Sequence, residues 1–302
     1  MKWQQLQVFV AVAQEKSLRA AARRLELTQP AVTRSIQELE ADLGTALLTR
    51  SVKGIDLTDA GAALWVRANQ LLEDTRRARE ELEQLKGEMR GKVSVGTTSS
   101  IAMTLLPSAV QRFRLMAPTA ELVLMEVKFL PALQHVRDGS VDFAASHLPR
   151  RLDDDLRSIP LLSTDFVVMA REGHPLAHAR SLAELADAEW LQPIQSDGLP
   201  STVLSAAFQR AGLAFPRRIT QCASFSISLG LVSDTDMVCL FSRPLAERTA
   251  RYGLREIVLD VPLSEIEMGV ILRKNFRLTP VAQHFLGCLQ EAAVELKGRM
   301  GT

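Results

Sequence analysis

Cysteine is scarce: Cys222, Cys239 and Cys288 are odd in number, far apart and in no CxxC spacing, which argues against a disulfide framework and a zinc site. A redox-sensing role for Cys222 and Cys239 is less economical than that of small buried hydrophobes. No run of eighteen apolar residues occurs, and the opening MKWQQLQVFV lacks an apolar core fit for export, so no membrane association and a cytoplasmic location are expected. Net charge is +1 and the isoelectric point about 7.8, so no bulk electrostatic pull toward nucleic acid or membrane exists. Catalytic signatures are missing too: there is no GxSxG, no HExxH and no framed carboxylate pair, and the five histidines are scattered. Residues 87–92, GEMRGK, resemble a phosphate-binding loop only superficially, because the spacing is short by one residue and the segment precedes a strand. Asp153, Asp154 and Asp155 read as a solvated turn rather than a metal site. A non-enzyme without cofactor or metal is expected.

What is present begins with residues 17–40, SLRAAARRLELTQPAVTRSIQELE. Leu18, Ala21, Ala22 and Leu25 form one apolar stripe with Ser17 as N-cap. A second helix starts at Thr28, with Pro30 in its first turn, where a missing N–H costs nothing. Its buried stripe is Val32, Ile36, Leu39 and Leu43. That leaves Gln29, Thr33, Arg34 and Gln37 on the N-terminal half, where a recognition helix meets base edges. Leu6, Phe9, Val10 and Ala13 supply a preceding helix, and residues 47–58, LLTRSVKGIDLT, read as a hairpin. As a wing, that hairpin would bring Arg50, Ser51 and Lys53 to phosphates, while Arg19 lies off the first helix's buried stripe. Residues 1–58 hold eight basic and six acidic side chains, a slender surplus that pairing two copies on one duplex doubles.

From Asp59 to Lys86, Leu64, Ala68, Leu71, Ala78, Leu82 and Leu85, with Thr75 between, follow alternating steps of four and three, a heptad seam. Such a helix, roughly 42 Å long at ~1.5 Å per residue, suits pairing with a twin. Gly87 and Gly91 then read as a hinge. Beyond them strands are expected at 92–97, 121–129, 141–146, 166–171, 217–222, 237–241 and 266–273, and helices at 101–116, 131–138, 199–212, 225–233 and 280–297.

This order, with LxxFxxVA at residues 6–13, the segment from Ser17 to Arg50 and LTDAG at 57–61, resembles the LysR-type transcriptional regulators. The resemblance implies an α/β protein with an N-terminal winged helix-turn-helix (1–58), a long coiled-coil linker and dimerisation helix (59–87), and a two-lobed, periplasmic-binding-protein-like effector domain (88–302). Its lobe I would comprise 91–162 and 265–302, and lobe II 163–264. Double-stranded operator DNA would be read by Arg19, Thr28, Gln29, Pro30, Thr33, Arg34, Gln37, Arg50, Ser51 and Lys53. The protein would be a homodimer or tetramer, with RNA polymerase as a candidate partner.

Ligands on such sheets bind beyond the carboxyl ends of the strands. That criterion selects Thr98, Ser99, Ser100 and Ile101 after the first strand, Ser146 and His147 after the third, and Gln195, Ser196, Thr202 and Phe225 from the other lobe. Hydroxyls and free N–H groups at a helix start suit an oxyanion, so the expected effector is a carboxylate or sulfonate. Lobe closure on it would alter DNA bending. The competing expectations are a constitutive DNA-binding protein with a non-functional pocket, or a small-molecule transferase fused to a DNA head.

Overall fold

The computed structural model describes residues 1–51, 54–85, 89–149, 151–194 and 199–300. It divides into two units, residues 1–86 with 137–140, and the remainder.

In the first unit, helices α1 (Trp3–Glu15), α2 (Leu18–Arg24) and α3 (Gln29–Leu43) precede an antiparallel hairpin, β1 (Leu48–Ser51) and β2 (Gly54–Leu57), and the long helix α4 (Asp59–Gln84). The expected caps are made: Ser17 Oγ accepts from the Ala20 N–H at 3.3 Å and Thr28 Oγ1 from Ala31 at 3.4 Å. Phe9, Val12, Ala21, Val32 and Leu39 are fully buried in the shared core. Leu43, expected on that stripe, is instead 41% exposed; α3 stops there at a left-handed Gly44, and the chain turns to send Leu47 into the core. The hairpin is tied to the helices through Ile55, whose N–H bonds the carbonyl of Lys16 at 3.1 Å. Gly54 adopts φ +121° beneath that carbonyl, where a Cβ would lie 2.7 Å from the oxygen.

Helix α4 departs from the expected seam in its first three turns. Leu64 and Ala68, expected to face a twin, pack with Ala60, Trp65 and Leu72 on the head's own core. Leu71, Ala78, Leu82 and Leu85 are exposed. Gly61 is where the helix crosses the hairpin: a Cβ there would meet the Leu47 carbonyl oxygen at 1.9 Å.

The second unit is built on one sheet path. Strands β3 (Lys92–Thr97), β4 (Glu121–Glu126) and β5 (Phe143–Leu148) are parallel, and β7 (Glu189–Pro193), β8 (Ile219–Cys222) and β9 (Met237–Ser242) form a second parallel set. Two antiparallel strands join them, β6 (Leu156–Arg171) and β11 (Glu265–Arg273), with β10 (Leu254–Ile257) beside β6. Residues 156–165 of β6 pair with β11, and 166–169 pair with β9, so one sixteen-residue strand serves both lobes. The expected strand at 166–171 is its second half.

Helices α5 (Ser99–Thr104), α6 (Leu106–Met116), α7 (Phe129–Asp138), α8 (Leu199–Arg210), α9 (Phe225–Asp234), α10 (Arg243–Thr249) and α11 (Pro280–Met300) follow the strands. The helix expected over 101–116 is broken at Leu105 because Pro107, in the first turn of α6, has no N–H to continue the ladder. The strand expected to reach Phe129 ends at Glu126, since Phe129 opens α7. Phe113 and Phe143 pack on Phe285 of α11, and the fully buried Trp190 donates its indole N–H to the Leu185 carbonyl at 3.1 Å.

Candidate nucleic-acid interface and ligand cavity

On α3 the first residues present one polar strip. Gln29, Pro30, Arg34 and Gln37 are exposed and Thr33 is half-buried. The Thr33 hydroxyl donates to the Gln29 carbonyl at 3.0 Å. Arg34 holds Glu38 at 2.9 Å with 82% of its side chain in solvent. Exposed pairs of this spacing contribute only ~0.3–0.5 kcal/mol, so the guanidinium is cheaply recruited by a phosphate or guanine. Arg19 is exposed, and Thr28 is occupied by capping. The side chains of Arg50 and Ser51, together with Lys53, lie outside the described residues.

In the second unit, the carboxyl ends of β3, β4, β5, β7, β8 and β9 surround a cavity of about 540 Å³. Of the expected ligand contacts, Thr98, Ser99, Ser100, His147 and Phe225 line it. Ile101 does not, being fully buried in the core; Ser146 is likewise fully buried, and Thr202 stands exposed on α8 away from the wall. Gln195 and Ser196 lie outside the described residues.

Thr98 is the N-cap of α5 yet makes no side-chain cap hydrogen bond, unlike Ser17, Thr28, Thr58 and Ser224 at their helices. Nor do the two serines cap that helix. Ser99 donates to the carboxylate of Glu126, and Ser100 shares a hydrogen bond with the Ser242 hydroxyl. His147 stacks on Phe129 with ring centroids 4.5 Å apart, and burial pushes its pKa down to about 4, so it meets a ligand as neutral imidazole.

Glu126, Lys128, Phe129, Gln192 and Ser242 also line the cavity, and none was expected. The strand expected over 121–129 encloses the first three, whereas β4 ends at Glu126. The segment EWLQP of β7, only five residues long, carries no period that marks it. The cavity wall includes Cys222 and Cys239, on strands that flank β7, in register with Pro193 and Leu191. Two ladder spacings of ~4.8 Å hold them too far apart for a disulfide. Burial raises the Cys239 thiol pKa well above its ordinary value, further from the reactive thiolate.

Among the described residues no cluster of His, Cys, Asp or Glu is arranged to hold a metal, and no helix is long and apolar enough to cross a membrane.

Two family models match the two units. Residues 3–62 fit the bacterial regulatory helix-turn-helix protein, lysR family, and residues 86–294 the LysR substrate binding domain. The chain belongs to the LysR family. This LysR-type chain is 30% identical over 294 residues to the HTH-type transcriptional regulator GalR of Pseudomonas putida, covering 96% of this chain and 74% of that one. It is also 30% identical over 299 residues to the regulator GbpR of Azospirillum brasilense, covering 97% and 87%. Among solved structures, full-length CbnR in complex with its target DNA superposes with a TM-score of 0.68 at 24% identity, over 97% of this chain and all of that one (100%). The LysR-type protein is therefore a DNA-binding transcriptional regulator with a substrate-binding domain.

Proposed function

We propose that this regulator holds operator DNA as a homo-oligomer and responds, without chemical turnover, to a small organic anion bound in the 540 Å³ cavity. The observation that carries the reading is the composition of that wall. Uncapped N–H groups of α5, the Ser100 hydroxyl and the Lys128 ammonium offer donors to a carboxylate or sulfonate, while Phe166, Phe225 and Phe241 receive an apolar body. The Glu126 carboxylate at Ser99 repels an anion on that side, so we assign the charged head to Ser100 and Lys128. A ligand that binds the closed lobes more tightly than the open ones shifts the population toward closure, and with it the DNA-bound geometry.

A thermal-shift screen of carboxylates and sulfonates, followed by calorimetry on those that stabilise the protein, tests the ligand class. Footprinting of operator DNA with and without the bound acid tests the response. An identical footprint in both conditions points to a constitutive DNA binder, and recovery of an altered ligand points to an enzyme.

A further inference from the structure

Gln192 stands on β7 of the second lobe, between β9 and the edge strand β8, in register with Gln221 of β8, and is one of the residues that line the cavity. It is 8% exposed, and its amide nitrogen Nε2 has no hydrogen-bond partner. A buried primary amide with unused N–H groups gives up its water without recovering the loss, and such groups are uncommon in folded proteins. Its ladder neighbours in the cavity wall, Leu191, Pro193, Cys222, Cys239 and Leu240, offer no hydroxyl or amide side chain, whereas Ser224, Ser226 and Ser228 of the same lobe add hydroxyls to the wall. The donors assigned to a charged head, Ser100 and Lys128, belong to the other lobe. We infer that Gln192 turns its amide, closed off from solvent in the ligand-free chain, onto a second, uncharged oxygen of the ligand, so that the effector is an organic acid carrying a hydroxyl, keto or amide oxygen at the end away from its charged head. The inference rests on the proposal that the cavity binds an acid. It makes Gln192 a specificity-determining residue: a site that leaves a buried donor unpaired discriminates strongly against a ligand lacking the matching oxygen.

The test uses full-length protein and matched acids differing by one oxygen, pentanoate with levulinate and benzoate with para-hydroxybenzoate, titrated calorimetrically against wild type, Gln192→Met and Gln192→Glu. Met keeps the bulk of the side chain and drops the amide; Glu keeps the shape and removes the N–H donors. Wild type is expected to favour the oxygenated member of at least one pair by about tenfold or more, which is about 1.4 kcal/mol. In Gln192→Met that preference collapses to near unity because only the oxygenated acid weakens. Gln192→Glu loses binding of the keto acid. The ligand-free melting temperature of Gln192→Met is no lower than wild type, because the substitution removes a polar group that nothing satisfies. Retained discrimination in both variants overturns the inference, as does equal binding of both members of every pair by wild type. A clear drop in ligand-free melting temperature for Gln192→Met overturns it as well, by showing that the amide serves the fold or an ordered water. If no carboxylate or sulfonate of the screen binds, these four acids included, the anion reading itself falls and takes this inference with it, an outcome distinct from binding without discrimination.

Discussion

Replacing Leu71 and Leu82 together by glutamate should separate the protomers while leaving the DNA-binding head folded. In the single chain Leu71 is 50% exposed, Leu82 63% and Leu85 72%, on a helix whose first turns are covered by the head. Fully burying a leucine contributes ~1.5–3 kcal/mol, so the exposed parts of Leu71 and Leu82 together represent roughly one side chain per protomer. Across a symmetric pair the double substitution forfeits roughly 3–6 kcal/mol of burial, and glutamates facing one another across the seam add a desolvation cost. At 1.4 kcal/mol per decade, the dimer dissociation constant should rise by at least ~100-fold. Leu72 is the internal control: it packs on the head core one residue from Leu71, so Leu72→Glu should unfold the head rather than merely split the dimer. Analytical ultracentrifugation over a range of protein concentrations measures the constant, and thermal melts separate dissociation from unfolding. A double mutant that stays dimeric at the wild-type concentration range would show that α4 is not the pairing surface.

Three further outcomes follow. Gln37→Ala should relax preference at one base pair by ~1–3 kcal/mol on operator against single-base variants, and an unchanged preference would remove Gln37 from the reading face. Ser100→Ala should weaken the screened acid by roughly 1.5–3 kcal/mol in calorimetry, whereas Ser99→Ala, whose hydroxyl is turned to Glu126, should matter less; the reverse order would refute the assigned seat of the charge. His147 has a folded pKa of about 4 against an ordinary 6.5, so the unfolded chain binds the proton first and stability, complete above 6.5, is lost as pH falls toward 4. Urea denaturation should show about 2 kcal/mol of this loss between pH 7 and pH 5, absent in His147→Phe; equal acid sensitivity in the two proteins would contradict it.

How much of this was legible in the sequence depended on how local its cause was. Helix caps at Ser17 and Thr28 and the 3.6-residue stripes of α2 and α3 are decided by residues within a few positions, and with the exception of Leu43 they emerged as expected. The boundary at Leu105 follows from Pro107 and was available in principle, but the apolar pattern running through it from Ile101 outweighed one proline. The cavity wall was harder. Ser99 and Ser100 were placed by strand-end logic, yet their partners Glu126 and Ser242 come from 27 and 142 residues away, and no local pattern announces such a meeting. Gln192 was invisible for the same reason: a glutamine in a short strand is ordinary, and only burial beside a cavity makes its amide conspicuous. The seam illustrates the opposite error. The four-three spacing of Leu64 and Ala68 is the same whether the neighbour is a second chain or the helices upstream, and the upstream helices claimed them.

The crossing of α4 over the hairpin bears on where this chain can be divided. A head excised at residue 58 would lose Ala60, Leu64, Trp65, Ala68 and Leu72, the apolar wall that closes its core. It would also lose the Gly61 N–H that the Thr58 hydroxyl caps at 3.0 Å, while that same hydroxyl donates to the Ala46 carbonyl at 2.7 Å. The autonomous piece therefore runs through Leu72 at least, and the helix between 59 and 72 is a component of the DNA reader before it is a connector. Grafting this head onto another sensor calls for a junction beyond Leu72. Glycine must be kept at 61, because the carbonyl of Leu47 fills the space that any side chain would need.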